Sequence, residues 1–255
     1  MARRATVIKL ARASGEPLLV LDAGNSLLPI ENGAGPAEPA LRTRGQTSIE
    51  ALNRLGYDAV ALGANDALLG REELGKRLAE MKKNVFISAN LIDKGTGKLL
   101  VQPFIIKQVG GHRIALIGIT GALPADLAEL SARDALETAR EYVPRAQSQA
   151  DIIILLSNAG FDVNQAIAQQ VPGVDLIISG GSESLRGETP VGQSVLIVTA
   201  DLAVPGDAGR YLGRLEVNFD RSGALGKYTW SSVEIGPSIA DDPDVAAWVA
   251  SLPKE

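Results

Sequence analysis

Four short segments of this sequence combine amide, hydroxyl and carboxylate side chains with glycine, and each follows an apolar run typical of a buried strand. If they meet at one edge of a sheet, they form a shallow pocket of amides, hydroxyls and carboxylates, whose backbone amides could hold an anion. Glycine and asparagine are also the residues that tight turns require, so a purely structural role stays open. The segments are DAGN (22–25), GAND (63–66), SNAG (157–160) and SGGSE (179–183).

The composition excludes several kinds of chemistry. The 255 residues include no cysteine and a single histidine, His112, so thiol nucleophiles, disulfides and sites built from several histidines are ruled out. For His112, next to Gly110 and Gly111, we expect an exposed turn position and no catalytic role. A net charge of −5 argues against a nucleic-acid partner. Pure apolar runs reach only ~5 residues, against roughly 20 for a spanning helix, so no direct membrane span is predicted.

Apolar runs that alternate with amphipathic segments predict how the four turns are positioned. Such alternation is typical of a sheet covered by helices on both faces, and late β-type runs without helices between them predict an antiparallel part. We therefore predict one α/β sandwich with the turns at the carboxyl ends of its strands. Residues 30–45, rich in Gly, Pro and Ala, are predicted to be a loop. Helices are predicted at 2–13, 47–55, 71–83, 132–149, 163–170 and 241–252, and strands at 18–21, 58–62, 85–89, 101–109, 113–120, 151–156, 174–178, 194–199, 211–219 and 227–235.

Seven stretches of the sequence carry a family resemblance, both in their residues and in their order along the chain. They read LLVLDAGN (18–25), ALNRLGYDAVALG (51–63), FISANL (86–91), RIALIGIT (113–120), DIIILLS (151–157), VDLII (174–178) and DDPDV (241–245). In this order, and nearly from end to end, they resemble the N-terminal domain of calcineurin-like metallophosphatases, in the branch of the 5′-nucleotidases and UDP-sugar hydrolases. The resemblance implies a metallophosphatase-type sandwich of mixed sheets flanked by helices.

The resemblance also implies a site. Enzymes of that family hold two metal ions about 4 Å apart, which clamp the attacking and departing oxygens of a phosphoester. The family's ligand positions fall on the four turns, where the ligand residues are replaced by neutral or small groups or by a lone glutamate. Asn25 replaces an aspartate, Ala64 an asparagine, Asn65 and Asn158 each a histidine, and Gly181 and Glu183 the two histidines of the last turn.

Neutral amides are weak ligands that cannot compensate two dications, and without bound metal no hydroxide forms near neutral pH. We therefore expect no catalytic residue, no metal and no cofactor at this site. We call the changed positions, together with Asp66 and Ser182, the relic pocket. The relic pocket consists of Asn25, Ala64, Asn65, Asp66, Asn158, Gly181, Ser182 and Glu183.

The resemblance bears on domains and partners as well. Residues 1–255 are predicted to form a single metallophosphatase-like domain, and residues 241–252 resemble the linker helix that leads to a C-terminal nucleotide-binding domain in relatives. The family's first strand, with its Asp-x-His motif, has no counterpart here, and its absence would expose the neighbouring strand. We therefore expect another protein chain, or a homo-oligomer, to cover the sheet.

Together these observations favour a catalytically inactive metallophosphatase-fold protein, a pseudoenzyme with a structural or protein-interaction role. Two alternatives stay open: a 5′-nucleotidase-like phosphoester hydrolase with an altered site that uses Asp66 and Glu183, and a nucleotide- or anion-binding module that uses the relic pocket. Localisation is unknown, since the resembling enzymes are largely exported and this sequence begins with no recognisable signal peptide.

Overall fold

The computed structural model describes residues 1–31, 35–36, 38–83, 85–180, 187–192, 195–199 and 209–253. Within them, no helix is long and apolar enough to cross a membrane. The helices are α1 Ala2–Ala13, α2 Glu38–Arg42, α3 Gln46–Leu55, α4 Gly70–Ala79, α5 Ala135–Gln147, α6 Phe161–Gln170 and α7 Pro243–Ser251, with a 3₁₀ turn at Asp66–Leu69. The strands are β1 Leu21–Asp22, β2 Ile30–Glu31, β3 Gly35–Pro36, β4 Ala59–Ala61, β5 Phe86–Ile87, β6 Leu91–Asp93, β7 Lys98–Leu99, β8 Phe104–Val109, β9 His112–Ile119, β10 Leu130–Ala132, β11 Ile152–Ser157, β12 Leu176–Ser179, β13 Gly187–Val191, β14 Val195–Thr199, β15 Tyr211–Phe219 and β16 Leu225–Glu234.

Two sheets carry the parallel strands. The smaller has the order β1-β4-β5, and the larger has the order β13-β14-β12-β11-β9-β8. In the larger sheet β9, β11, β12 and β14 run parallel, while β8 and β13 pair antiparallel at its two edges. Strands β15 and β16 form a separate antiparallel ribbon. The predicted α/β architecture with mixed sheets is confirmed.

The core lies between the two sheets and under the helices on either side. Side chains of β4 and β5 share one buried cluster with side chains of β9, β11 and β12, so the sheets face each other. A second cluster joins α5 and α6 to the outer face of the larger sheet, and a third joins α1, α3 and α7 to the smaller one. Because both faces of β11 are covered, all six of its residues are buried, as its unbroken apolar run predicts.

Two helix ends lie at capping residues. Helix α3 stops at Gly56, which adopts a left-handed conformation with φ 68° that a glycine accepts without strain. Helix α7 begins after Asp242, whose carboxylate accepts a bond from the Val245 amide at 3.0 Å, and Pro243 takes the first position. The predicted closing helix is therefore present.

Two expectations were wrong in detail. The segment 30–45 is not simply a loop, since it contains helix α2 and strands β2 and β3, and its Ala-Glu-Pro-Ala stretch suits a helix start despite its neighbouring glycines. His112 is not an exposed turn residue. Gly110 and Gly111 make the turn with φ 58° and 86°, and His112 begins β9, half-buried and edge-on to Phe219 at 6.3 Å between ring centroids.

Candidate functional site

Three of the four polar turns touch one another beyond the ends of β1, β4 and β11. A Cβ atom placed on Gly24 would lie 2.9 Å from the Gly63 Cα and 3.1 Å from the Asn158 Cβ. The fourth turn starts at the same edge, because a Cβ atom on Gly180 would lie 2.8 Å from the Ala23 carbonyl oxygen. The parallel order of the strands thus brings the turns together. Gly181, Ser182 and Glu183 lie outside the described residues.

Asp66 lies at the centre of this contact and is fully buried. Its Oδ2 accepts bonds from the amides of Gly63 at 2.8 Å and Asn25 at 3.1 Å. Its Oδ1 accepts bonds from the amides of Leu27 at 2.9 Å and Leu28 at 3.1 Å. Burial raises the pKa of Asp66 to about 6, and the amide bonds oppose that rise because they favour the charged carboxylate. The carboxylate is therefore saturated by backbone donors from two turns.

Two asparagines of the relic pocket, Asn25 and Asn158, bind backbone amides of the segment 63–66. The Asn25 side-chain oxygen accepts a bond from the Asn65 amide at 3.0 Å, and Asn25 itself has a left-handed φ of 61°. The Asn158 side-chain oxygen accepts a bond from the Ala64 amide at 2.9 Å. The buried Nδ2 of Asn158 has no hydrogen-bond partner among the described residues. Both amide oxygens thus link turns instead of facing an open site.

Asp22 is a further, half-buried carboxylate at this edge, and the sequence did not single it out from its turn. Its Oδ1 accepts bonds from the Gly24 amide at 2.9 Å and the Ser26 hydroxyl at 2.6 Å. Burial raises the pKa of Asp22, and these bonds oppose that rise. An Asp two residues before a glycine is a recognisable turn signal, so its local role was predictable.

Buried polar groups also lie just after β5 and β9, at Ser88, Asn90 and Thr120. The Thr120 hydroxyl donates to the Leu62 carbonyl at 2.7 Å and lies 2.7 Å from the Ser88 hydroxyl. The Asn90 side chain accepts from the Thr120 amide and donates to the Thr120 carbonyl, both at 2.8 Å. In the FISANL stretch the serine and asparagine interrupt an apolar run, a signal that could have identified this network.

A second buried relay ties the ends of β11 and β12 to α6. Asn164 accepts a bond from the Ser157 hydroxyl at 2.5 Å and donates to the Ser179 hydroxyl at 2.7 Å. All three side chains are buried. The relay fixes the positions from which the third and fourth turns start.

The described residues of the relic pocket do not fit a dinuclear metal centre. The carboxylate of Asp66 and the side-chain oxygens of Asn25 and Asn158 are directed at backbone amides, so none faces a shared point as a ligand. The only histidine, His112, begins β9 and lies about 25 Å from the turns, given roughly 3.3 Å per residue along the strand. Among the described residues, no group of three or more His, Asp or Glu could hold a metal ion.

Comparisons with known proteins place this geometry in context. No protein-family model matches the chain. The chain is 32% identical over 214 residues to the uncharacterised metallophosphoesterase YunD of Bacillus subtilis, an alignment that spans 82% of this chain and 44% of YunD. It is 29% identical over 269 residues to the 5′-nucleotidase of Bos taurus, spanning 97% of this chain and 46% of the bovine protein. The chain belongs to the 5′-nucleotidase/metallophosphoesterase family. It spans about half the length of these relatives and corresponds to their N-terminal region.

Two solved structures share the fold of this chain. The 5′-nucleotidase precursor of Thermus thermophilus superimposes with a TM-score of 0.81 at 24% identity, covering 98% of this chain and 52% of that protein. The sulfate thiohydrolase SoxB of Thermus thermophilus superimposes with a TM-score of 0.80 at 23% identity, covering 98% of this chain and 46% of SoxB. At these identities the likeness concerns the fold, and it confirms the metallophosphatase-type sandwich.

Proposed function

We propose that this member of the 5′-nucleotidase/metallophosphoesterase family has lost the dinuclear hydrolytic centre and serves a structural or protein-interaction role. The single observation that carries the proposal is the state of Asp66. Four backbone amides from two turns occupy both of its oxygens, so Asp66 acts as an internal anchor and is not available as the ligand or base that a hydrolase with an altered site would need.

The amide oxygens of Asn25 and Asn158 support the same proposal. Each accepts a bond from the backbone of the segment 63–66, which leaves them unavailable to bind a metal without breaking a contact between turns. Without two metal ions a phosphoester hydrolase of this type has neither its metal-bound hydroxide nor its clamp on the departing oxygen.

Metal analysis and activity measurements on the purified chain test the proposal together. We expect no stoichiometric manganese or zinc by mass spectrometry, and no hydrolysis of a nucleoside monophosphate or an aryl phosphate in manganese buffer. We also expect the melting temperature to be the same in manganese and in chelator, because metal binding to the native state would raise stability by about 2.7 kcal/mol at a concentration 100-fold above Kd. Two bound equivalents of metal, or turnover that disappears in Asn65→Ala, would contradict the proposal.

One observation favours a second candidate, a binding module for an anion such as a nucleotide phosphate. The Nδ2 of Asn158 is a buried donor without a partner among the described residues, and its orientation is fixed because Oδ1 of the same amide is already bonded to Ala64. Buried donors without partners cost free energy that a ligand acceptor can recover.

A thermal-shift titration with inorganic phosphate and with a nucleoside monophosphate tests this second candidate. Binding would raise the melting temperature of the wild type and not of Asn158→Asp, which keeps the acceptor for the Ala64 amide and loses the donor. No shift in the wild type at millimolar ligand would exclude it.

A further inference from the structure

The outer edge of β15 is a strand edge without a partner among the described residues, where the strand order places β15 beside β16 alone. In an antiparallel pair, alternate residues direct their backbone groups to the partner strand. The Arg210 carbonyl accepts from the Ile235 amide at 2.7 Å, so even-numbered residues of β15 face β16. The N–H and C=O groups of Gly213, Leu215 and Val217 therefore point outward.

Helix α1 contacts the start of β15 and so limits the part of this edge that is open. The Arg4 guanidinium donates to the Gly209 carbonyl at 2.9 Å and approaches the Tyr211 carbonyl at 3.5 Å, so the helix covers the first residues of β15. No described residue pairs with the outward backbone groups of the stretch that follows, residues 213–217, which we call the open part of the edge.

The edge of β15 also lacks the residue types that protect other strand edges of this fold from pairing with another chain. Edge strands are commonly blunted by a lysine or a proline, which disfavour pairing with another chain. The larger sheet follows this rule, with Lys107 in β8 at one edge and Pro190 in β13 at the other. The sequence of β15, YLGRLEVNF, contains neither.

The two charged residues of β15 are arranged so that this edge complements itself. Arg214 and Glu216 lie two residues apart on the exposed face, in an ion pair of 2.6 Å, on either side of Leu215. In an antiparallel pair of two copies centred on Leu215, Arg214 of each copy stands opposite Glu216 of the other. Opposite charges directly across a strand pair are favourable, and like charges there are unfavourable.

The apolar side of the same arrangement is also complementary. Leu215 would meet Leu215 of the second copy, and Val217 would lie opposite Gly213, which has no side chain to compete for the space. Leu215 is only half-buried in the single chain, where it packs on the cluster between the sheets, so pairing would cover it further.

We infer that the edge formed by residues 213–217 is a dimerisation surface whose partner is a second copy of this chain. Two ribbons then join into one four-stranded sheet around a two-fold axis, and both edges are consumed, so the assembly closes at two copies. The dimer would supply the protein-interaction role in the proposed function, and in that respect the inference rests on the proposed function. A failure of the dimer inference would be distinguishable from a failure of the proposed function, because the metal and activity measurements do not depend on the oligomeric state.

Sedimentation velocity over a concentration series tests the inference with two charge-reversal variants. The short contact predicts a wild-type dimer that dissociates in the micromolar range. Arg214→Glu places carboxylates opposite carboxylates, and Glu216→Arg places guanidinium groups opposite each other, so each variant alone should be monomeric. Mixed in equal amounts, the two variants restore both opposite-charge pairs and should form a dimer.

Thermal melts of the two single variants provide the control for folding, since both changes lie on an exposed face and should leave the melting transition cooperative. A wild type that stays monomeric through the concentration series would overturn the inference. So would single variants that dimerise as the wild type does, or a mixture of the two that stays monomeric.

Discussion

Asp175 binds both backbone polar groups of Ile153: its amide donates to the Ile153 carbonyl at 3.0 Å, and its Oδ2 accepts from the Ile153 amide at 2.8 Å. Asp175 directly precedes β12, and Ile153 lies in the neighbouring parallel strand β11. The same two-point contact recurs before β4 and β11, with distances of 2.8 and 2.9 Å in each case, in the pairs Asp58 with Val20 and Asp151 with Arg113. Three aspartates thus set the register of neighbouring parallel strands at their amino ends, which lie opposite the turns.

The first prediction concerns this contact. Asp175→Ala should lower the free energy of unfolding by about 1–3 kcal/mol, because the Ile153 amide loses its acceptor at the start of a buried strand. Asp175→Asn is the matched control, since its side-chain oxygen can still accept that bond, and at pH ~4, where the wild-type carboxyl is protonated, it should stay close to the wild type. Urea unfolding measures both, and equal losses in the two variants would show that the bond is not responsible.

The second prediction concerns pH. Burial raises the pKa of both Asp66 and Asp175 from 3.8 to about 6, so the folded state binds their protons more tightly than the unfolded state does. Their contribution to stability is therefore fully present below pH ~4 and is lost as the pH rises through about 6. We expect the free energy of unfolding to fall between these values and Asp175→Asn to reduce the slope.

The control for the pH dependence is Asp151→Asn. The Arg113 guanidinium and amide lower the pKa of Asp151 to about 2, so its contribution is lost only as the pH falls toward that value. This variant should leave the slope between pH ~4.5 and ~6.5 unchanged. Urea unfolding at a series of pH values provides the measurement, and a wild-type curve that rises across this window would contradict the assignment.

The third prediction concerns the anchor in the turns. Asp66→Ala should destabilise the protein by about 3 kcal/mol or more, because four backbone amides lose their acceptor inside the fold. Asp126→Ala removes an exposed carboxylate and should change stability by less than about 0.5 kcal/mol. Similar midpoints of denaturation for the two variants would refute an anchoring role for Asp66.

The fourth prediction uses two glycines. A Cβ atom on Gly63 would lie 2.1 Å from the Asn25 side-chain oxygen and 2.3 Å from the Asn25 amide nitrogen, so Gly63→Ala should push the turns apart and cost about 3 kcal/mol or more. Gly75 lies in α4 with no atom within 4 Å of an added Cβ, so Gly75→Ala should stabilise the protein by about 0.5–1 kcal/mol. Differential scanning calorimetry should show melting-temperature shifts of opposite sign.

The strand and helix order of this fold was predictable from sequence because apolar runs alternate with amphipathic ones, and capping residues such as Gly56 and Asp242 mark helix ends. The convergence of the turns followed from the parallel order of the strands. The role of Asp66 could not be predicted from the sequence. Two of its four donors are the amides of Leu27 and Leu28, and a backbone amide has no sequence signature. Helix α2 was missed because the glycines and prolines around it dominate the local pattern.

The Asp66 carboxylate also determines how this edge of the protein can open. Because its oxygens bind the amides of residues 25, 27, 28 and 63, neither turn can move away without releasing the other. The two turns therefore open as one cooperative unit, and the four amide hydrogens exchange with solvent at a common rate set by that opening. Two loops that are far apart along the chain thus behave as a single rigid block.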